Sequence, residues 1–183
     1  MVFDSSDERW VDEAVRLVPY DPEWARRYDS VITSLEPLLH RWLTGGLHHV
    51  GSTAVPGLAA KPVVDILAGV ASLERARPCI EILRDAGWWY APFRPDDMHW
   101  FCAPSPSHRQ FHLHVAETDG RWYHDELAFR DVLREDPRVA QQYEALKVSL
   151  AHRHPNDREA YTQGKTDFIR STLQAAGRST GGV

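Results

Sequence analysis

The sequence predicts an α+β fold, a mixed sheet with flanking helices followed by a C-terminal helical bundle. Three observations carry this. Short apolar runs of strand-like composition, separated by polar turns, recur up to residue 120. After Asp119-Gly120, helical period takes over in three segments. No internal repeat or low-complexity linker divides the halves, so the 183 residues are expected as one domain. Its core should run from about residue 13 to 120 and its helices from about 121 to 176, with a loose first dozen residues and a flexible tail at 177–183.

Each element has a local reason. Val15 to Val18 reads as an edge strand. Asp21-Pro22 then places a capping acid before a Pro at the first helical position, opening a helix expected to reach Trp42. Leu47–Val50 and Pro62–Val70 are strands framing a Gly-Ser turn. Ser72 starts a helix that Gly87 ends, with Pro78 in its second turn and able to bend it. Trp88–Ala91, Met98–Ala103 and Gln110–Glu117 follow as strands. The helices are expected at Tyr123–Glu135, Pro137–His152 and Asp157–Ala175, with Asp136-Pro137 repeating the cap-then-Pro start. Asn156 with Glu159 three residues on resembles a capping box for the last of them.

Composition narrows the function classes. A net charge of −5 argues against a nucleic-acid-binding surface. Two cysteines give no disulfide framework and no metal-knuckle spacing. No apolar run reaches membrane-spanning length and the N-terminus is acidic, so a cytoplasmic protein without a membrane partner is expected. Of 21 basic residues only Lys61, Lys147 and Lys165 are lysine, which suggests positions that need a compact ammonium.

The chemistry-bearing stretch is His49 to Leu67, HVGSTAVPGLAAKPVVDIL. Gly51 lets backbone approach a ligand, and the Ser52 hydroxyl with free N–H groups at a turn suits phosphate oxygens. Asp65 is an acid within an apolar strand, expensive to bury without a cation or donor. His112 and His114, two apart, fall on one face of their strand. With Asp65 they could form a two-His-one-carboxylate metal site, or they could be hydrogen-bonded histidines in a cleft wall. Of the pair His48-His49, at most one faces the site, and ordinary packing is favoured for His49. Arg130, beside Asp131, could reach a triphosphate or tie the helices to the sheet. Tyr161, Lys165 and Phe168 share one helical stripe, as Tyr143 and Lys147 do a helix earlier. Such stripes serve packing, or in a nucleotide cleft stack a base and neutralise phosphate.

The chain resembles the GrpB family, a branch of the nucleotidyltransferase superfamily. The resemblance rests on GSTAVPGLAAKPVVDIL at 51–67, FHLHV at 111–115, LAFRDVLRED at 127–136, YEALKVSLA at 143–151 and DREAYTQGKTDFI at 157–169. It implies a nucleotidyltransferase-like core that binds a nucleotide or phosphorylated small molecule. The implied reaction is metal-dependent nucleotidyl or phosphoryl transfer, with Mg, Mn or Zn. In that reading Asp65 is catalytic and anchors the cation with His112 and His114. Gly51, Ser52, Lys61, Arg130 and Lys165 face the phosphates. The sequence departs from the superfamily at Leu67, where a second carboxylate on the face of Asp65 is expected. Two alternatives therefore stand. One is a non-catalytic binding or stabilising module like the GrpB-like extension of some dephospho-CoA kinases; the other is a metal-dependent hydrolase using the Asp/His cluster.

Overall fold

The computed structural model describes residues 14–177, and the expectations for the first dozen residues and for 178–183 lie outside that range. A five-stranded mixed sheet organises the chain, in the order β1-β2-β5-β4-β3. The strands are β1 (Leu43–Val50), β2 (Val64–Val70), β3 (Trp89–Ala91), β4 (His99–Ser105) and β5 (His108–Glu117). Only β2 and β5 run parallel, with Asp65 opposite His112 and Leu67 opposite His114; the other pairs are antiparallel.

Strand alternation divides β2 and β5 between two faces. Val64, Ile66 and Ala68 of β2, with Phe111, Leu113 and Val115 of β5, pack under α1 (Glu23–Leu39). Also on this face are α2 (Leu73–Ala76) and α3 (Cys79–Asp85). Asp65, Leu67, His112 and His114 take the opposite face, toward the C-terminal helices. These are α4 (Arg121–Glu135), α5 (Pro137–Arg153), α6 (Arg158–Gln163) and α7 (Thr166–Ala175). Tyr123 of α4 seats the helical half on the sheet. It lies over Gly69 of β2, where a Cβ would meet the Tyr123 ring at 2.9 Å.

The expected elements are present with local corrections, and β1 begins at Leu43 rather than Leu47. Val15–Val18 is no strand: only Val18 bridges Ala60, because the antiparallel register would next pair Arg16 with Pro62, which has no N–H to donate, and Val15 instead donates to the Pro155 carbonyl. The first helix ends at Leu39 rather than Trp42, with Asp21 Oδ1 accepting from the Glu23 N–H at 2.9 Å. The Ser72 helix does not merely bend at Pro78 but divides there into α2 and α3. The last helix divides at Gly164, where a Cβ would run into Leu150 of α5. Its N-terminal cap is Asp157, whose Oδ1 accepts from the Ala160 N–H at 2.9 Å, and not Asn156. Asp136 caps α5 as expected.

Among the described residues, no helix is long and apolar enough to cross a membrane.

Candidate functional site

The turn after β1 depends on Gly51. Its backbone sits at φ 70°, ψ −174°, a region that side-chain-bearing residues scarcely enter. A Cβ here would also collide with Asp65 Oδ2 and stand 3.1 Å from its Cγ. Glycine therefore lets the turn fold directly over the Asp65 carboxylate. A short 3₁₀ turn, Ser52–Ala54, follows.

Charged side chains of the helical half brace this loop. Arg130 donates to the His49 carbonyl at 3.1 Å and pairs with Asp131 at 2.7 Å. Arg134 donates to the Ala54 carbonyl at 2.8 Å. Glu144 accepts from the Ala59 N–H at 3.1 Å. Lys147, 1% exposed, donates to Ser52 Oγ at 3.0 Å and to the Ala59 carbonyl. Lys147 is thus the ammonium that meets Ser52, and Arg130 takes the tying position weighed for it above.

Asp65, His112 and His114 meet as their register dictates. His112 Nδ1 lies 2.9 Å and His114 Nε2 3.5 Å from Asp65 Oδ1. The Asp65 side chain keeps 27% of its exposure and each imidazole 14%, so a ligand can reach the cluster. Burial would raise the Asp65 carboxyl, but hydrogen bonds from the two histidines outweigh it and hold it well below the usual carboxylate range. Burial pushes His112 down to about 4 against the pull of Asp65. His112 is therefore neutral at pH 7. Because ionised Asp65 only accepts, Nδ1 carries the proton and Nε2 keeps a bare lone pair. That Nε2 is buried and has no hydrogen-bond partner among the described residues.

This donor set fits a divalent ion. One ligand atom from each of the three residues lies within 4.8 Å of the others. A buried, unsatisfied lone pair costs stability unless a cation or donor reaches it. A carboxylate holding one imidazole nitrogen and orienting the other is also a familiar support for a metal-binding histidine.

All three lysines come to this region. Lys61 and Lys165 approach the Tyr161 ring, 5.2 and 4.8 Å from its centroid, and Lys147 lies 5.0 Å from that of Tyr143. Burial, then the charges of Arg158 and Lys165, push Lys61 down to about 7. Burial and then Lys165 push Lys147 to about 7, and burial also lowers Lys165, against Asp65 and Glu126.

Residues beyond the sequence-based set complete the walls. Trp100 packs on His112 and Trp122 on His114, with ring centroids 5.0 and 5.1 Å apart, and Met98 Sδ is 3.3 Å from His114 Nδ1. Glu126 of α4 is within electrostatic reach of Asp65 and His114, and burial raises its carboxyl. The lysine bias and the Tyr143–Lys147 stripe both hinted at Lys147; Glu126 had no local signal. His49 is packed as expected: its ring stacks on Tyr28 at 4.8 Å and Nε2 bonds Thr53 Oγ1 at 3.0 Å.

A family model described as GrpB protein matches residues 14–175. The glutamate-rich protein GrpB of Alkalihalophilus pseudofirmus is similar at 34% identity over 164 residues, 87% of this chain and 94% of that one. The crystal structure of conserved protein GrpB from Enterococcus faecalis superposes with TM-score 0.79 at 30% identity, over 88% of this chain and 96% of that one. A dephospho-CoA kinase of Mycolicibacterium paratuberculosis is 32% identical over 188 residues, covering 88% of this chain but 46% of the kinase.

Proposed function

The chain belongs to the GrpB family, and from that premise we propose that it binds a nucleotide or another phosphorylated small molecule between sheet and helical half. One observation carries the reading. A Gly-Ser turn, three lysines and an Asp/His cluster with a bare imidazole nitrogen converge from segments far apart in sequence.

The reaction class this supports is metal-dependent nucleotidyl or phosphoryl transfer. Asp65, His112 and His114 would hold the ion, with imidazole favouring Mn²⁺ or Zn²⁺ over Mg²⁺. A bound divalent ion polarises a phosphoryl oxygen and offsets its developing charge. The turn at Gly51 and Ser52 offers a hydroxyl and backbone N–H groups to phosphate oxygens. Lys147, Lys61 and Lys165 supply positive charge there, and an arriving anion favours their protonated forms. Leu67 fills the strand position of a second carboxylate, and Glu126 of α4 is an acid within electrostatic reach of Asp65 and His114. With its carboxyl raised by burial, Glu126 is suited to exchanging a proton with an attacking hydroxyl.

The test is a thermal-shift panel of nucleoside triphosphates with and without Mn²⁺, Zn²⁺ or Mg²⁺. Wild type should show a metal-dependent shift with at least one nucleotide. Asp65→Asn should lose it while its ligand-free melting point stays within a few degrees of wild type. Equal shifts in both proteins would remove Asp65 from the site.

A second reading rests on Leu67 and on the kinase relative. This chain matches 46% of a dephospho-CoA kinase, so a similar sequence is carried there within a chain about twice as long. A nucleotide shift without turnover of any nucleoside triphosphate would favour a binding or stabilising module.

A further inference from the structure

The turn after β1 holds a pairing that phosphate binding alone does not use. Ser52 is partly exposed at the start of its 3₁₀ turn, directly after the Gly51 backbone at φ 70°. Lys147 of α5 reaches it from across the molecule, with Nζ 3.0 Å from Ser52 Oγ, and is 1% exposed. The bonds from Arg134 to the Ala54 carbonyl and from the Ala59 N–H to Glu144 hold the loop, and so fix where Oγ stands.

The surroundings of Lys147 are neutral. Among the described residues its Nζ bonds Ser52 Oγ and the Ala59 carbonyl and faces the Tyr143 ring, with no carboxylate in hydrogen-bond reach. Burial in such a place disfavours the charged form. Burial, then the Lys165 charge, bring Lys147 to about 7 against the weaker pull of Glu144, so amine and ammonium are both populated near neutral pH. Each form is satisfied where it stands. The ammonium donates to Ser52 Oγ and to Ala59. The amine still donates to Ala59 and turns its lone pair toward the serine, whose hydroxyl then donates to it. Tyr143 is also hydrogen-bonded to Ser52, and burial holds its phenol proton tightly, so the serine proton is the one left to move. A serine hydroxyl donating to a buried, uncharged amine is the arrangement of Ser–Lys nucleophile pairs.

We propose that Ser52 and Lys147 are a nucleophile and its general base, and that a phosphoanhydride reacting here leaves its phosphoryl group as a covalent ester on Ser52 Oγ. This goes beyond the reading above, which asks only that Ser52 bind phosphate oxygens. In the step, the Oγ–P bond forms while the bond from phosphorus to its bridging oxygen breaks. The electron pair of that bond departs with the leaving phosphate, which is stable as an anion. The Ser52 proton passes to Lys147 Nζ, and nothing is oxidised or reduced. Lys147 ends as an ammonium beside the negatively charged ester, the form such a neighbour favours.

Labelling of the full chain with an alkyl fluorophosphonate, without metal, tests this by intact mass and peptide mapping. The reagent is a phosphoryl electrophile that carries no nucleotide and loses fluoride, so it probes the pair apart from nucleotide binding. One adduct should form, on Ser52, and none in Ser52→Ala. The labelling rate should rise with pH and level off through an inflection at about 7. Lys147→Met, which keeps an apolar stem in the buried place, should slow labelling at least tenfold and lose the inflection. Should that variant melt far below wild type, the wild-type profile decides: a rate still climbing past about pH 9 would mean that hydroxide, not Lys147, takes the proton. No adduct, an adduct elsewhere, or wild-type labelling of folded Lys147→Met would each overturn the proposal. A metal-dependent nucleotide shift without labelling would end it and leave nucleotide binding standing.

Discussion

Replacing Gly51 by Ala tests how the turn is fitted to the carboxylate. Two costs arise. The backbone, at φ 70° and ψ −174°, would hold alanine in a conformation that costs about 1–3 kcal/mol. The new methyl would also displace Asp65, whose Oδ1 holds His112 at 2.9 Å. Losing that charge-assisted hydrogen bond costs about 1.5 kcal/mol, the low end of the range, because the Asp65 side chain is 27% exposed and water can partly replace it. The sum is about 3.5 kcal/mol. At about 2–4 °C per kcal/mol for a chain of this size, melting should fall about 7–14 °C. Denaturant unfolding and calorimetry would measure it, with Gly57→Ala as the control. Gly57 has a positive φ of 82° but open space where a Cβ would go, so its variant should lose only about 1–2 kcal/mol. Asp65→Ala in the Gly51→Ala background should recover part of the loss, because the colliding oxygen is gone. Equal losses at positions 51 and 57, with no coupling to Asp65, would refute the close fit.

Two further outcomes follow from the charges at the turn. The Lys147 pKa falls to about 7 in the fold from its unfolded value near 10.4, so between those limits the unfolded chain holds the extra proton. Stability should therefore rise with pH from about 7 to 10, by up to about 1.4 kcal/mol per pH unit, and Lys147→Met should flatten the slope in urea titrations across that window; an unchanged slope would mean Lys147 is not the group responsible. Arg134→Gln removes the charged donor from the Ala54 carbonyl at an exposed position, so it should cost about 0.5–1 kcal/mol and accelerate amide hydrogen exchange around residues 52–60 more than elsewhere.

The strands, the caps at Asp21 and Asp136 and the facing of His112 with His114 were legible because each depends on residues a few positions apart. Period-two alternation alone puts both imidazoles on one side of β5, and an acid in the apolar run Val64–Val70 marks a group that must find a partner. The cap shared between Asn156 and Asp157 was harder, since either side chain suits the turn and local geometry chose the second. The break at Gly164 was not readable from helical period, because Leu150 of another helix occupies the space a side chain would need.

The partners of the site lie a level further up. Ser52 and Lys147 are 95 positions apart, and Asp65 and His112 47 apart. Sequence alone determined that Asp65 required a partner and that Gly51 freed the backbone above it. The parallel pairing of β2 with β5 decided which partner, by setting Asp65 opposite His112 and leaving Leu67 opposite His114. The docking of α4 and α5 brought Glu126 within electrostatic reach of Asp65 and His114, and Lys147 to a turn whose own residues carry no charge. Burial away from water then shifted their proton affinities, and burial is a property of the packed chain rather than of any segment.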